Sequence, residues 1–428
     1  MTAALSFAAL LGLLGLGMPV GFALAVVGTV GLLMIGTPSM VAGILATTPL
    51  STISSYELIA VPMFILMAEF VILSGVAKGL FNAAATWVGR LPGGLAIATA
   101  LAGAGFGAIS GSSTAAAATL SSTSIPAMLD HRYDPKLACG VVAVSGTLAM
   151  LIPPSIALVL FGIIADVDIG ALLIGGIVPG IMVTITIVAT ILVLVTLHPG
   201  AAPQGRRYTL AEKVRSLRAV GPMLILMFCV TGIIYTGIAT PTEASGIGAT
   251  GAFLIALVMG GNSARAFGRA AIRAGQASCM IMMIILGAHI FGYYFTLTQT
   301  TQSLVAWVAG LDMSPYVIMA VIIFGYLVLG CIMDQIAILI LTVPLLLPVI
   351  VDLGFDPIWY GVLIVLTAEV GLITPPVGLN VFVVARYADR PISEIFRGVW
   401  PHVIAHLVAI ALLVAFPDLV LWLPRTMN

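Results

Sequence analysis

Charge is what this sequence has least of. Of its 428 residues, 16 are Lys or Arg and 16 are Asp or Glu, 7% of the chain against 61% hydrophobic, and a soluble fold needs far more polar surface than that to cover itself. Sparse basic residues and a net charge of zero give nucleic acid nothing to bind. Cysteine is scarce too. Cys139, Cys229, Cys279 and Cys331 are widely separated in apolar context, which excludes a disulfide framework or a thiolate metal site and predicts buried structural thiols. No G-x-x-x-x-G-K-[ST] surrounds any lysine, so the chain holds no ATP-driven motor. A nucleophile elbow is missing as well: Ser110 is preceded two residues back by Ala108 rather than glycine, against an intramembrane serine hydrolase. No Lys or Arg precedes the first apolar stretch, so the charged start of a cleaved signal peptide is absent and that stretch is expected to be a retained helix.

What the chain does have is apolar runs of spanning length, recurring from Leu5 to Leu423. At about 20 residues per span they leave room for roughly ten to fourteen spans or half-spans. The period-two alternation of a membrane barrel is absent, and long Ala, Leu, Ile and Val runs argue for helices. The fold class is therefore all-α, a polytopic membrane protein with no soluble domain of any size.

Two of the runs are broken by paired prolines, Leu151-Ile152-Pro153-Pro154 and Ile373-Thr374-Pro375-Pro376, 222 residues apart. Tandem proline leaves carbonyls without intrahelical partners, which a bilayer tolerates only beside protein, ion or water. The same offset pairs Pro19 with Pro241, Pro126 with Pro348, Pro135 with Pro357 and Pro179 with Pro401, and Asp130 and Asp134 with Asp352 and Asp356. With 24 prolines in 428 positions, chance supplies about one such coincidence, so the chain is an internal duplication. A basic linker, residues 199–218, with Arg206, Arg207, Lys213, Arg215 and Arg218 against Glu212, divides repeat 1–198 from repeat 219–428. By the positive-inside rule this linker is cytoplasmic. Runs Ala219–Gly237 and Glu243–Gly260 return the chain to Arg265, Arg269 and Arg273, three cations on one helical face, read as a short interfacial arm at about 264–275. Its counterpart, Thr37–Ser55, carries no basic residue. The repeats are thus expected to have inverted topology, with the amino terminus outside.

Two Pro-interrupted repeats point to a secondary transporter and its binding site. Ahead of the first break, Gly103 to Thr114 is small and uncharged, and about 111–126 is read as a re-entrant hairpin of two half-length arms. The equivalent stretch, about 331–348, is a second hairpin. Their tips, Ser110, Ser112, Ser113 and Asp334, approach the breaks, where hydroxyls, freed carbonyls and a carboxylate suit a hard cation and half-helix amino termini suit an anion. Small residues also let helices pack closely, the favoured reading for Ala116–Thr119. Glu369, near the second break, either lines the cavity or ties helices together, whereas Glu69 and Glu243 are expected to bond backbone or hydroxyl groups. His402 and His406 have metal-pair spacing but no third ligand, and are read as an interfacial or satisfied pair.

The chain resembles a known family, the large membrane subunit of the tripartite ATP-independent periplasmic (TRAP) transporters. The resemblance runs through Gly17-Met18-Pro19-Val20, Leu58 to Ile65, Ser110 to Thr114, Tyr133-Asp134-Pro135, Ile152-Pro153-Pro154-Ser155, Pro179-Gly180, Thr240 to Ala244, Thr374-Pro375-Pro376-Val377-Gly378 and Val399-Trp400-Pro401. It implies a bacterial inner-membrane symporter with an elevator-type fold, driven by a Na⁺ gradient and taking an organic anion, usually a carboxylate, from a periplasmic substrate-binding protein. It also implies a separate small membrane (Q) subunit of about four helices. By the same resemblance one Na⁺ site falls at Ser110, Ser112, Thr147, Leu151 and Pro153, and a second at Gly330, Ile332, Asp334, Thr367 and Thr374. Ser113, Ser155, Gly378 and Asn380, on or beside the same tips and breaks, are the substrate candidates; no organic cofactor is implied. A stand-alone Na⁺/dicarboxylate symporter is the alternative, and an intramembrane hydrolase a remote one.

Overall fold

The computed structural model describes residues 2–203, 205–259 and 262–427. Gln204 of the linker and Gly260, the end of one apolar run, lie outside the described residues. The first half contains α1 (Thr2–Gly15), α2 (Val20–Ile35), α3 (Pro38–Ile53), α4 (Ala60–Ser74), α5 (Val76–Val88), α6 (Gly94–Ser110), α7 (Ser113–Asp130), α8 (Pro135–Thr147), α9 (Ile156–Ala165), α10 (Ile169–Gly175) and α11 (Ile177–Leu197). The second contains α12 (Leu210–Tyr235), α13 (Pro241–Met259), α14 (Ala264–Leu297), α15 (Thr300–Ala309), α16 (Pro315–Gly330), α17 (Gln335–Asp352), α18 (Pro357–Gly371), α19 (Leu379–Ala388), α20 (Ile392–Ala415) and α21 (Asp418–Leu421). Among the described residues there is no strand, and seven helices are long and apolar enough to cross a membrane.

Capping residues fix the helix starts. Asp134 and Asp356 accept from backbone N–H groups at the starts of α8 and α18, each with proline at the first helical position, where its missing N–H costs nothing. Helices α7 and α17 begin and end 222 residues apart and have 18 residues each. Small residues bring the helices close. A Cβ on Gly103 would lie 2.8 Å from Ser145, and one on Gly107 2.7 Å from the Ala149 backbone, so α6 is pressed against α8 and the turn that follows it. Gly21 and Gly28 of α2 do the same against α14. One large core joins α4 to α11 with α12 to α14 and α16 to α20, and a smaller one joins α1 and α2 to α14 and α17.

Several local expectations are corrected. The stretch 111–126 is not a pair of half-length arms: α7 runs from Ser113 to Asp130 with Pro126 inside it, so the bend lies at Gly111-Ser112 and the other arm is α6. Hairpin 2 is likewise α16 and α17 around a tip at 331–334. The arm at 264–275 is the beginning of one 34-residue helix, α14, whereas its first-half counterpart is a separate helix, α3, ending at Ile53. Glu69 bonds neither backbone nor hydroxyl but pairs with Arg273 of α14 at 2.6 Å. Glu243 behaves as expected, accepting from the N–H and hydroxyl of Thr240. Cys139 and Cys331 are buried, but Cys229 and Cys279 are exposed on the helix surface, because apolar context in a membrane chain describes lipid-facing positions as well as core.

Candidate functional site

Each hairpin tip is a helix stop followed by a helix start. Helix α6 ends at Gly111 in the left-handed conformation, φ 54°, which glycine adopts without a Cβ clash. Extended Ser112 then caps α7 through its hydroxyl, accepting from the Ala115 N–H at 3.4 Å. On the other side, α16 ends at Gly330, and Asp334 caps α17 by accepting from the Ile336 N–H at 3.1 Å. The negative carboxylate sits at the positive end of a helix dipole.

The breaks are built alike. Helix α8 passes through a single 3-10 turn, Leu148–Met150, to the cis Pro153-Pro154 bond, and Ser155 caps α9. Helix α18 leads to the cis Pro375-Pro376 bond, and Gly378, at φ 66°, starts α19. Each tip lies on its own break. A Cβ on Gly111 would lie 2.8 Å from Ile156, and the Gly378 N–H donates to the Cys331 carbonyl at 3.4 Å. A bond joins the tip of hairpin 1 to the second broken helix: the Asn380 amide donates to the Ser113 hydroxyl at 2.6 Å, both side chains fully buried.

Of the four substrate candidates, Ser113 and Asn380 are therefore in contact. Gly378 sits against the tip of hairpin 2. Ser155 is committed locally, its hydroxyl donating to the Met150 carbonyl and accepting from the Leu158 N–H. Among the first group of ion candidates, Ser110, Thr147, Leu151 and Pro153 are buried and Ser112 half-buried. The Ser110 hydroxyl has no partner. In the second group Gly330 and Thr367 are buried, Thr374 is half-buried, and Ile332 and Asp334 are exposed at the tip. The hydroxyls of Thr147, Thr367 and Thr374 donate to Val144, Leu363 and Val370 carbonyls at 2.7, 2.8 and 2.6 Å, leaving their oxygen lone pairs free to face a cation. No group of three or more His, Cys, Asp or Glu placed to hold a metal ion occurs among the described residues. The donor set is hydroxyl and main-chain oxygen with one carboxylate, which fits a hard alkali cation and not a transition metal.

Glu369, which the sequence offered as a cavity-lining or a helix-tying acid, joins the site, and Gln335 extends it beyond the sequence reading. Glu369 is fully buried, faces the Ser113 hydroxyl, and has no hydrogen-bond partner on either carboxyl oxygen. Gln335, next to the capping Asp334, is buried and donates to the Val365 carbonyl at 3.0 Å, with its own carbonyl unpaired. The signal for both was a polar residue inside an apolar run; what they face depends on α17, α18 and α7 converging. His402 and His406 are neither interfacial nor satisfied. Both are buried in α20, and apart from His406 Nδ1 on the His402 carbonyl at 2.7 Å their ring nitrogens are unpaired.

A profile of the family described as "Tripartite ATP-independent periplasmic transporter, DctM component" matches residues 7–419. The chain belongs to this family. Among its relatives is the C4-dicarboxylate TRAP transporter large permease protein DctM of Pseudomonas aeruginosa, 35% identical and covered over 89% of each chain. Another is the sialic acid TRAP transporter large permease protein SiaM of Vibrio cholerae, 31% identical over 97% of this chain and 96% of the relative. In fold it is similar to the crystal structure of the Alcanivorax borkumensis YdaH transporter, with a TM-score of 0.63 at 15% identity, covering 88% of this chain and 89% of that one. A TRAP large permease is a multi-pass membrane transport component rather than an enzyme, and the hairpins and breaks described above are the parts of this one that bring polar groups inside it.

Proposed function

We propose that this TRAP large permease is the membrane-embedded carrier of a Na⁺-driven symporter in the bacterial inner membrane, importing an organic anion handed over by a periplasmic substrate-binding protein. The observation that carries this reading is the buried Asn380–Ser113 bond, which joins the tip of hairpin 1 to the second broken helix. It makes one polar locus from two halves of the chain, lined by hydroxyls, freed carbonyls and helix starts. Such a locus offers oxygen to a cation and N–H groups to an anion.

In this reading the first Na⁺ is held by Ser110, Ser112, Thr147, Leu151 and Pro153, and the second by Gly330, Ile332, Asp334, Thr367 and Thr374, chiefly through main-chain carbonyls. Ser113, Asn380 and Gly378 orient the substrate carboxylate, and Ser155 holds the start of α9 in place. Occupied ion sites fix both tips against their breaks, and the hairpin unit then moves as a rigid elevator against α1–α4 and α12–α14. The relatives' names, C4-dicarboxylate and sialic acid, both denote carboxylates, which supports that substrate class. A small membrane subunit of about four helices is the remaining partner.

The test is uptake into proteoliposomes containing this chain and its small subunit, with the binding protein supplied outside. Uptake should require an inward Na⁺ gradient and the binding protein. Uptake by this chain alone would support the stand-alone symporter instead. Uptake indifferent to Na⁺ would overturn the proposal.

A further inference from the structure

A cavity of about 720 Å³ opens where α8 begins, α11 ends and α20 begins. Its walls hold two cations, Lys136 and Arg397, above the apolar side chains of Leu137, Leu194 and Leu197. Neither cation has a carboxylate within salt-bridge distance among the described residues. Asp134, the one acid lining the cavity, is engaged in accepting from the Lys136 backbone N–H at 2.8 Å. Pro199 to Ala201, the first residues of the basic linker, close one side.

The internal 222-residue offset supplies a control. It maps Leu194 and Leu197 onto Phe416 and Leu419, which line a second cavity of about 580 Å³ where α20 ends. There the single cation, Arg425, is neutralised by Asp418 at 2.7 Å. Two hollows that share these two wall positions thus differ in charge, and the unneutralised one lies beside the basic linker. A leucine wall capped by two free cations is complementary to a molecule with acyl chains and an anionic head. Basic hollows between membrane helices on the cytoplasmic side take such lipids.

We infer that the α8–α11–α20 cavity binds an anionic phospholipid of the cytoplasmic leaflet, with its phosphate on Lys136 and Arg397 and its chains along Leu137, Leu194 and Leu197. This site stands apart from the transported anion and does not depend on Na⁺ coupling.

Purified full-length chain in uncharged detergent is titrated with phosphatidylglycerol, phosphatidylcholine or inorganic phosphate, and binding is read by native mass spectrometry and by thermal shift. Phosphatidylglycerol should bind and raise the melting temperature, while the other two should not. The K136Q/R397Q variant should bind it about 30-fold more weakly and either single variant about fivefold, from one interfacial charge each. The charge-keeping K136R/R397K variant and the linker variant R206Q/R207Q should bind like wild type. Equal phosphatidylglycerol binding by wild type and K136Q/R397Q would overturn the assignment. So would inorganic phosphate binding as well as the lipid, or the same loss in R206Q/R207Q. If the double variant does not fold, the single variants decide: wild-type affinity in both overturns the site.

Discussion

The Asn380–Ser113 bond can be broken from either side, and the cost differs from that of an ordinary surface contact. In Ser113→Ala, Asn380 loses the acceptor of its amide N–H while its carbonyl is already unpaired, so a fully buried amide is left with no side-chain partner. An orphaned buried group of this kind costs about 1–3 kcal/mol. In Asn380→Ala, the Ser113 hydroxyl survives beside Glu369 but its bond to the second broken helix is gone. The pairwise term comes from the double-mutant cycle with Ser113→Ala/Asn380→Ala. Side-chain hydrogen bonds inside membrane proteins average about 0.6 kcal/mol in such cycles and reach about 1.7. This bond, at 2.6 Å and fully buried, belongs in the upper half, so the coupling should be about 1–1.7 kcal/mol, or roughly 5- to 18-fold. The assay is the unfolding free energy of the four proteins in one detergent, since the coupling is a term in stability. Effects that add to within about 0.3–0.5 kcal/mol would refute the reasoning, since that is the behaviour of independent sites.

Three further outcomes are expected. Asp334→Ala should raise the Na⁺ concentration for half-maximal uptake and, by removing the cap of α17, destabilise the chain by about 1 kcal/mol in thermal unfolding; unchanged Na⁺ dependence would count against its ion role. The Arg273–Glu69 pair is half-exposed on the arginine side, so Arg273→Ala should lower stability by no more than about 1 kcal/mol after allowing for solvent screening, and the exchange Arg273→Glu with Glu69→Arg should recover it. A maleimide should leave all four cysteines of the membrane-embedded protein unlabelled, Cys139 and Cys331 because they are buried and Cys229 and Cys279 because they face lipid, and should label all four after unfolding, read by mass spectrometry.

The paired prolines and the polar tips Ser112 and Asp334 could be read from the chain because each is a local signal, while their capping of α7 and α17 emerged only in the fold. Proline removes its own donor, and a capping side chain reaches only two or three residues. The hairpin arms were harder. Pro126 looks like a terminus but sits within α7, while the true break, Gly111-Ser112, is marked only by glycine's access to a left-handed turn. The arm at 264–275 has no stop signal after Arg273 strong enough to end the helix, and α14 continues to Leu297. Local spacing could not supply the meeting of Asn380 with Ser113, 267 positions away, or the facing of Glu369 toward that serine. Those contacts exist because α7, α18 and α19 converge.

Helix α14 has a mechanical consequence. Its 34 residues make a rod of about 51 Å, while the hydrocarbon layer is about 30 Å thick and spanning helices lean by at most about 40°. Even at that lean roughly 12 Å of the rod stands outside the hydrocarbon. The Arg265, Arg269 and Arg273 end is the part fitted for the headgroups. Because the rod is unbroken and the glycines of α2 lie hard against it, a change in bilayer thickness that alters its lean swings the far end: 10° moves it by about 9 Å. Lipid thickness thus becomes a load on the frame beside which the hairpins sit, set by the membrane's composition rather than by any ligand.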